Sequence, residues 1–308
     1  MVDYICKSPV LFLIFNRPNE AKRVFEAIRS VKPSKLYIAA DGPRQNVETD
    51  YELCEETRKL ISEVDWPCQV KSYLRTENLG CKIAVSEHIT WFFDNEPEGI
   101  ILEDDCLPNK EFFWFCDTLL EKYRDDTRIR HIGGAKMHIG ELDNIDTYHF
   151  SRFTNIWGWA SWRRVWENYD VNLHLLDEAI ESKVLFNILP NSKIINYFIE
   201  AFKLTKEGKI NTWDYQYVFS NMINNGLSIQ PNVNMISNIG FNQSATHTTN
   251  AADILANRPL ASFEKIMHPN FVVPIISRDI EQVERFLPSL TEKVWHRLIK
   301  SIKRIINR

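Results

Sequence analysis

Short apolar runs alternate with helical apolar stripes along the first 130 residues. Residues 9–15 are almost all apolar, which is typical of a strand buried on both faces of a parallel sheet. The polar stretch 16–19 ends this run, and Asn19 is the predicted N-cap of a helix. That helix carries apolar residues at Ala21, Val24, Phe25 and Ile28, and a second buried strand follows at 36–40. The pattern predicts a right-handed βαβ unit.

The same alternation continues to residue 132. It predicts helices over 53–64, 83–93 and 110–123, and strands over 68–74, 99–102 and 129–132. The predicted fold class is therefore α/β, with a mixed, mostly parallel sheet flanked by helices. No internal repeat or low-complexity linker divides the chain, so we expect one catalytic domain over 1–270 and an extension over 271–308.

The second half of the chain is less regular. Residues 148–166 are rich in aromatic side chains around a glycine and show neither helical nor strand periodicity. Beyond them the pattern predicts helices over 175–189, 194–205 and 211–224, a strand over 227–230 and a polar loop over 238–252.

Composition excludes several classes of protein. The chain has 308 residues, of which 44% are hydrophobic and 25% charged, so it is neither disordered nor fibrous. Its net charge of −4 argues against a general nucleic-acid-binding protein. The six cysteines form no CxxC pair, and neither a signal pattern nor a membrane-spanning run is visible. We therefore expect a cytoplasmic protein with reduced thiols.

Three consecutive acids follow the predicted strand 99–102. Glu103, Asp104 and Asp105 would be costly at the end of a buried strand unless positive charge met them there. A divalent cation whose shell is completed by phosphate oxygens would supply that charge. The alternative is a solvated turn before a helix N-terminus.

Polar side chains also follow the other predicted strands. Phe15, Asn16 and Arg17 end the first strand and could meet a base or a phosphate. Asp41 ends the second strand, where it could accept hydrogen bonds from a nucleobase or a ribose. A turn-forming role is the alternative for Asp41. The loop after the third strand suits a diphosphate through Arg75, Asn78, Gly80 and Lys82.

With these strand ends in view, the chain resembles nucleotide-sugar glycosyltransferases of the GT-A fold. The resemblance covers roughly residues 8–250 and rests on four motifs: the Asn16-Arg-Pro loop, Asp41, the segment 75–80 and the Glu-Asp-Asp triplet. Within that fold the chain is similar to bacterial family 2-like enzymes and to the N-acetylglucosaminyltransferase I family. The aromatic segment 151–160 resembles the bacterial branch more closely.

The resemblance implies roles for single residues. Asp105 would bind Mn²⁺ or Mg²⁺, while Glu103 and Asp104 orient the donor; His247 could complete the metal shell, although a surface histidine is the alternative. Asp214 would be the general base, with a helix cap as its alternative and Glu207 and Asp170 as rival bases. A wall against the sugar would consist of Trp157, Gly158 and Trp159, unless the tryptophans belong to the core.

The last eighteen residues form a separate pattern. Residues 291–308 place an apolar stripe beside six basic residues and one acid, which leaves the segment at +5 and the remainder of the chain at −9. Such a helix is typical of a peripheral anchor on an anionic membrane. Docking on the core, or pairing two copies into a homodimer, are the alternatives.

Together these features predict a metal-dependent, inverting glycosyltransferase at the inner face of the cell membrane. It would move a sugar from a nucleotide-diphospho-sugar donor to a glycan or glycolipid acceptor of a bacterial surface polysaccharide or lipopolysaccharide. One alternative is a sugar nucleotidyltransferase, although the loop after the first strand is Asn-Arg-Pro-Asn and not the glycine- and lysine/arginine-rich loop typical of that class. A non-catalytic membrane-surface adaptor is the other.

Overall fold

The computed structural model describes residues 4–138, 146–241, 256–285 and 287. Ten strands are present in this part of the chain: β1 Val10–Ile14, β2 Lys35–Ala40, β3 Gln69–Leu74, β4 Glu98–Glu103, β5 Cys106–Pro108, β6 Ile129–Gly133, β7 Tyr148–Ser151, β8 Trp159–Trp162, β9 Leu227–Pro231 and β10 Ile236–Asn238. Its α-helices are α1 Pro18–Val31, α2 Asp50–Arg58, α3 Gly80–Asn95, α4 Lys110–Lys122, α5 Arg163–Trp166, α6 Leu176–Glu181, α7 Val184–Ile188, α8 Ser192–Lys206, α9 Asp214–Ile223 and α10 Ile276–Glu284.

Eight strands form the central sheet, in the order β3-β2-β1-β4-β8-β6-β9-β7. The pairs β3–β2, β2–β1, β1–β4 and β6–β9 are parallel, whereas β8 runs antiparallel to both of its neighbours and β7 runs antiparallel to β9. Six of the eight strands therefore point the same way. The predicted mixed, mostly parallel α/β sheet flanked by helices is confirmed, and its carboxyl edge gathers the ends of β1, β2, β4, β6 and β9.

The start of α1 differs from the sequence prediction. The helix begins at Pro18, with Arg17 rather than Asn19 as its N-cap residue. Proline suits this position because its missing N–H falls where a helix has no internal acceptor, and its fixed φ is already helical. As a result Arg17 lies between the end of β1 and the start of α1, where its side chain can reach the acidic triplet.

The aromatic segment 148–166 contains two strands that the sequence analysis does not predict. All four residues of β7 and all four of β8 are buried, so neither strand shows the alternation of apolar and polar side chains that identifies a half-exposed strand. β8 is an interior strand of the sheet, between β4 and β6. Its two tryptophans, Trp159 and Trp162, lie in the core.

The extension predicted over 271–308 is partly described. Its helix α10 packs on β7 through Asp279, whose carboxylate accepts hydrogen bonds from the Ser151 hydroxyl and the Arg152 N–H. The basic helix predicted over 291–308 lies outside the described residues, so its membrane and dimer roles stay predictions. In the described part of the chain, no helix combines the length and the apolarity needed to cross a bilayer.

Candidate functional site

The acidic triplet lies where β4 leaves the sheet. The carboxylate of Asp104 accepts a hydrogen bond from the Phe15 N–H at 3.1 Å, which ties the triplet to the end of β1. Arg17 Nη1 donates to Asp105 Oδ2 at 2.8 Å and lies 3.8 Å from Asp104 Oδ1. The parallel pairing of β1 with β4 brings these groups together, because Leu13 is in register with Glu103.

One arginine does not balance the charge of this site. Burial, then the charges of Asp105, Asp104 and Asp214, raise the pKa of Glu103 well above its ordinary value. Burial and Asp105 raise the pKa of Asp104 to about 7, although Arg17 and the Phe15 N–H oppose the change. A raised pKa means that these acids tend to hold a proton, and a cation placed beside them would favour their ionised form.

Asp214 faces the triplet from the first turn of α9. Its Oδ1 accepts hydrogen bonds from the Thr212 hydroxyl at 2.5 Å and from the Tyr215 N–H at 2.7 Å. This oxygen is therefore already hydrogen-bonded to groups at the start of the helix. Its charge nevertheless contributes to the raised pKa of Glu103. The structure therefore brings the predicted base and the predicted acidic triplet to the same cleft.

Cys81 lies among the acids of this cleft, and the sequence analysis missed it. Burial, then the charges of Glu103, Asp214 and Asp41, raise the pKa of its thiol to about 12. The thiol is thus neutral at ordinary pH and is surrounded by carboxylates from β4, α9 and the end of β2. Its position directly after Gly80, in the predicted diphosphate loop, is the sequence feature that could have identified it.

Asp41 organises the loop that precedes α3. Its carboxylate accepts hydrogen bonds from the Asn78 amide at 3.0 Å and from the N–H groups of Leu79 and Gly80 at 3.0 and 2.9 Å. Gly80 adopts a positive φ of +76° at this turn. Asp41 therefore already occupies the backbone donors expected to hold a diphosphate.

The basic residues of the same loop differ in their surroundings. Arg75 ion-pairs with Glu87 and stacks over the Tyr73 ring with its guanidinium carbon 4.9 Å from the ring centre. Lys82 lies half-buried in the first turn of α3. Arg75 is thus engaged within the protein.

Asn16 contacts a buried acid that the sequence analysis did not identify, and Phe15 contacts the arginine paired with that acid. The Asn16 amide donates to Asp50 Oδ1 at 2.8 Å, and Arg44 donates to both oxygens of the same carboxylate. The Arg44 guanidinium also lies over the Phe15 ring, 5.6 Å from its centre. Asp50 is fully buried and fixes this side of the cleft.

The three residues predicted to form a wall against the sugar have different surroundings in the structure. Trp157 is half-buried and contacts Phe241 edge-on, with ring centres 5.6 Å apart. Gly158 has φ of +59°, and a Cβ there would collide with Ile236. Trp159 is 1% exposed and stacks on His131 and Trp213, so its ring lies in the core instead of facing a ligand.

Gly240 packs against the triplet from the segment that follows β10. The Ile239 N–H donates to the Asp105 carbonyl at 2.8 Å, and a Cβ added at Gly240 would lie 2.2 Å from Asp105 Oδ2. Only a residue without a side chain lets the chain pass this close to the carboxylate. Nothing in the local sequence pattern around Gly240 predicts the contact, because it depends on the pairing of β10 with β5.

The triplet suits a divalent cation that takes part of its ligands from the protein and the rest from a substrate. Among the described residues, no three histidine, cysteine or acidic side chains come together as a preformed metal site. Asp104 and Asp105 do offer the carboxylate oxygens that Mg²⁺ and Mn²⁺ prefer, and their uncompensated charge favours a cation. Phosphate oxygens would have to complete the shell. The predicted ligand His247 lies outside the described residues.

Comparison with known proteins finds similarity among solved structures. Neither a protein-family model nor a curated protein matches the chain. A 4-diphosphocytidyl-2C-methyl-D-erythritol synthase from Anaerococcus prevotii has a TM-score of 0.33 and 8% identity, over 53% of this chain and 75% of that one. HddC from Yersinia pseudotuberculosis has a TM-score of 0.34 and 12% identity, over 53% of this chain and 80% of that one.

These neighbours correct the function expected from the sequence. The first of these structures is named as the synthase of a diphosphocytidyl compound. No glycosyltransferase family is shown, and the prediction of a glycosyltransferase is wrong by this comparison.

Proposed function

We propose that the protein is a nucleotidyltransferase that joins a nucleoside monophosphate unit to a phosphorylated sugar or polyol. The observation that carries the proposal is the cleft at the carboxyl edge of the sheet. Five acidic residues act on one another or on Cys81 through their charges there, namely Asp41, Glu103, Asp104, Asp105 and Asp214, and Arg17 contacts the triplet. Such a cleft suits a divalent cation carrying the phosphates of a nucleoside triphosphate.

The reaction exchanges one phosphoanhydride bond for another. An oxygen of the acceptor's phosphate attacks the α-phosphorus of the triphosphate, the bond from that phosphorus to the bridging oxygen breaks, and pyrophosphate leaves with the electron pair. A Mg²⁺ or Mn²⁺ ion held by Asp104 and Asp105 would supply Lewis-acid stabilisation of the phosphate charge. Arg17 presents further N–H donors to phosphate oxygens, because its contact with Asp105 uses Nη1.

The state of Asp214 supports phosphate as the attacking group. A hydroxyl acceptor needs a base to take its proton, whereas a phosphate monoester is already ionised near neutral pH and needs none. Asp214 Oδ1 already accepts two hydrogen bonds at the start of α9. Its negative charge would then help to hold the cation in the cleft.

The test is pyrophosphate release from ATP, CTP, GTP and UTP in the presence of Mg²⁺ and a panel of sugar 1-phosphates. One pair of substrates should release pyrophosphate in a metal-dependent reaction. Asp105→Asn should lower kcat/KM by about 100-fold or more, because it removes a charged ligand of the cation. Asp94→Asn, on the exposed surface of α3, is the matched control and should leave the rate unchanged.

The opposite outcome is equally plain. If no triphosphate releases pyrophosphate with any acceptor, or if Asp105→Asn retains the wild-type rate, the proposed function is incorrect.

A further inference from the structure

A cluster of basic side chains lies at the carboxyl edge of the sheet, apart from the acidic cleft. We call it the basic cluster, and it consists of Lys136, His138, His149, Arg258, Arg278 and Arg285. These residues come from the segment after β6, from β7, from the segment before residue 260 and from α10. They are distant in sequence, so the fold itself assembles them.

Hydrogen bonds fix two of the arginines in place. The Arg258 guanidinium donates to the Lys136 carbonyl, and Arg285 Nη1 donates to the Met137 carbonyl at 2.8 Å. Asn234 braces the same segment, since its side chain accepts from the Lys136 N–H at 3.0 Å. The cations are thus held on a braced backbone and not on a loose surface.

Two arginines of the basic cluster have no acidic partner among the described residues. Glu281 pairs with Arg285, but no ion pair joins Arg258 or Arg278 to an acid within residues 4–138, 146–241 and 256–285. Asp279, the acid next to Arg278, faces Ser151 and the Arg152 N–H instead. Burial and the neighbouring Arg285 lower the pKa of Arg258, which is the behaviour of a cation pressed against other cations.

Two buried histidines lie among these cations. The His138 and His149 rings meet edge-on with centres 5.3 Å apart, and both residues are at most 4% exposed. Burial, then the charges of His149, Lys136, Arg278 and Arg258, lower the pKa of His138 to about 3. His138 Nε2 is buried and has no hydrogen-bond partner in the described part of the chain. An oxyanion is the ligand that would satisfy this ring nitrogen and the cations together.

Strand register relates the basic cluster to the acidic cleft. Trp159 of β8 lies opposite Ile101 of β4 on one side and opposite Gly133 of β6 on the other. Residues 136–138 therefore leave the sheet level with the acidic triplet. Two strand spacings, roughly 10 Å, separate residues 136–138 from the triplet, and His149 on β7 lies two strands further along the sheet. One small molecule with two anionic ends can span that distance.

From this placement we propose that the basic cluster binds a phosphate group at the far end of the acceptor. Resting on the proposed function, the inference names the acceptor class: a sugar or polyol with two phosphates, one of which attacks the nucleotide while the other lies in the basic cluster. Arg258 and Arg278 supply the charge, and His138 donates from Nε2 as the neutral tautomer.

Binding of inorganic phosphate to the full-length protein, by calorimetry at constant ionic strength, tests the site without a reaction. Arg278→Gln should weaken phosphate binding at least tenfold, and Arg278→Lys should restore most of it. Arg128→Gln is the matched control, because Arg128 precedes β6 at the opposite edge and pairs with Asp126. It should bind phosphate like the wild type. Asp105→Asn should also do so, because the ion does not sit in the acidic cleft.

Equal affinity in the wild type and in Arg278→Gln would overturn the inference, as would an equal loss in Arg278→Gln and Arg128→Gln. The reaction separates this failure from that of the proposed function. Pyrophosphate release with an unchanged phosphate affinity in Arg278→Gln would refute the basic cluster and leave the nucleotidyltransferase standing. Phosphate binding that depends on Arg278, without pyrophosphate release from any triphosphate, would refute the nucleotidyltransferase and leave the anion site standing.

Discussion

At the scale of single residues, the cleft is marked by an excess of acidic over basic side chains. Glu103 and Asp104 lie at the end of a buried strand. Burial and the neighbouring acids raise their pKa values, and Arg17 offsets this effect only in part. The sequence predicts this set of acids because each follows an apolar run. It does not predict what Asp41 does, since the hydrogen bonds to Asn78 and Gly80 depend on a loop that folds back from the next strand.

Gly240→Ala tests the close approach of β10 to the triplet. The new methyl group would overlap Asp105 Oδ2 and push the carboxylate away from the cation position. We expect pyrophosphate release to fall at least tenfold and the free energy of unfolding to fall by about 1–3 kcal/mol, the usual cost of overpacking. Steady-state kinetics and urea denaturation measure the two effects.

Gly208→Ala is the control for this substitution. Gly208 has φ of +72°, and a Cβ there meets no atom within 4 Å. Alanine at this position should cost roughly 1 kcal/mol of stability through backbone strain alone and should leave activity intact. Full activity in Gly240→Ala would show that Asp105 need not stay where β10 holds it.

At the scale of elements, periodicity predicts most helices and strands and fails where burial removes the contrast between faces. The strands β1, β2 and β4 are recognisable as short apolar runs. β7 and β8 are not recognised, because each is buried on both sides inside a stretch crowded with aromatic residues. The short strand β5 is also missed, since three residues carry no periodicity and its partner β10 is more than a hundred residues away.

The docking of α10 on β7 should depend on pH through Asp279. Burial raises the pKa of this carboxyl to about 6, although the Ser151 hydroxyl and the Arg152 N–H lower it in part. Between about pH 4 and pH 6 the folded protein holds a proton that the unfolded chain has lost, so the contribution of Asp279 to stability falls as pH rises.

Asp279→Asn removes this titration. The unfolding free energy of the variant minus that of the wild type should increase from pH 4 to pH 6, by roughly 2 kcal/mol, and stay constant above that range. Urea denaturation at pH 4.5, 5.5 and 7 measures it. A difference that does not change with pH would mean that Asp279 titrates alike in both states.

At the scale of the whole molecule, strand order decides which predicted residues share a site. The parallel neighbours β2, β1 and β4 bring the strand ends with Asp41, Arg17 and the triplet to one edge, as the alternation of strands and helices predicts. The same order gathers the basic cluster beyond β6, which no local pattern indicates because its members come from four separate segments. Sequence motifs therefore predict the acidic cleft at this edge and do not predict the basic cluster.

The predicted reaction needed correction for a related reason. Acids and an arginine at the carboxyl edge of an α/β sheet suit several reactions of nucleotides, and they do not distinguish attack on a sugar carbon from attack on phosphorus. The choice depends on the acceptor, and the residues around it lie in parts of the fold that long-range pairing assembles.

The most direct test of the account is to identify the bond that breaks, by ³¹P NMR of the full-length protein with a nucleoside triphosphate, Mg²⁺ and a phosphorylated sugar. For a nucleotidyltransferase we expect free pyrophosphate together with a new pair of coupled diphosphate resonances from the nucleotide-sugar product. It would be contradicted if the triphosphate stayed intact while a nucleotide-sugar supplied in its place yielded free nucleoside diphosphate and a glycoside.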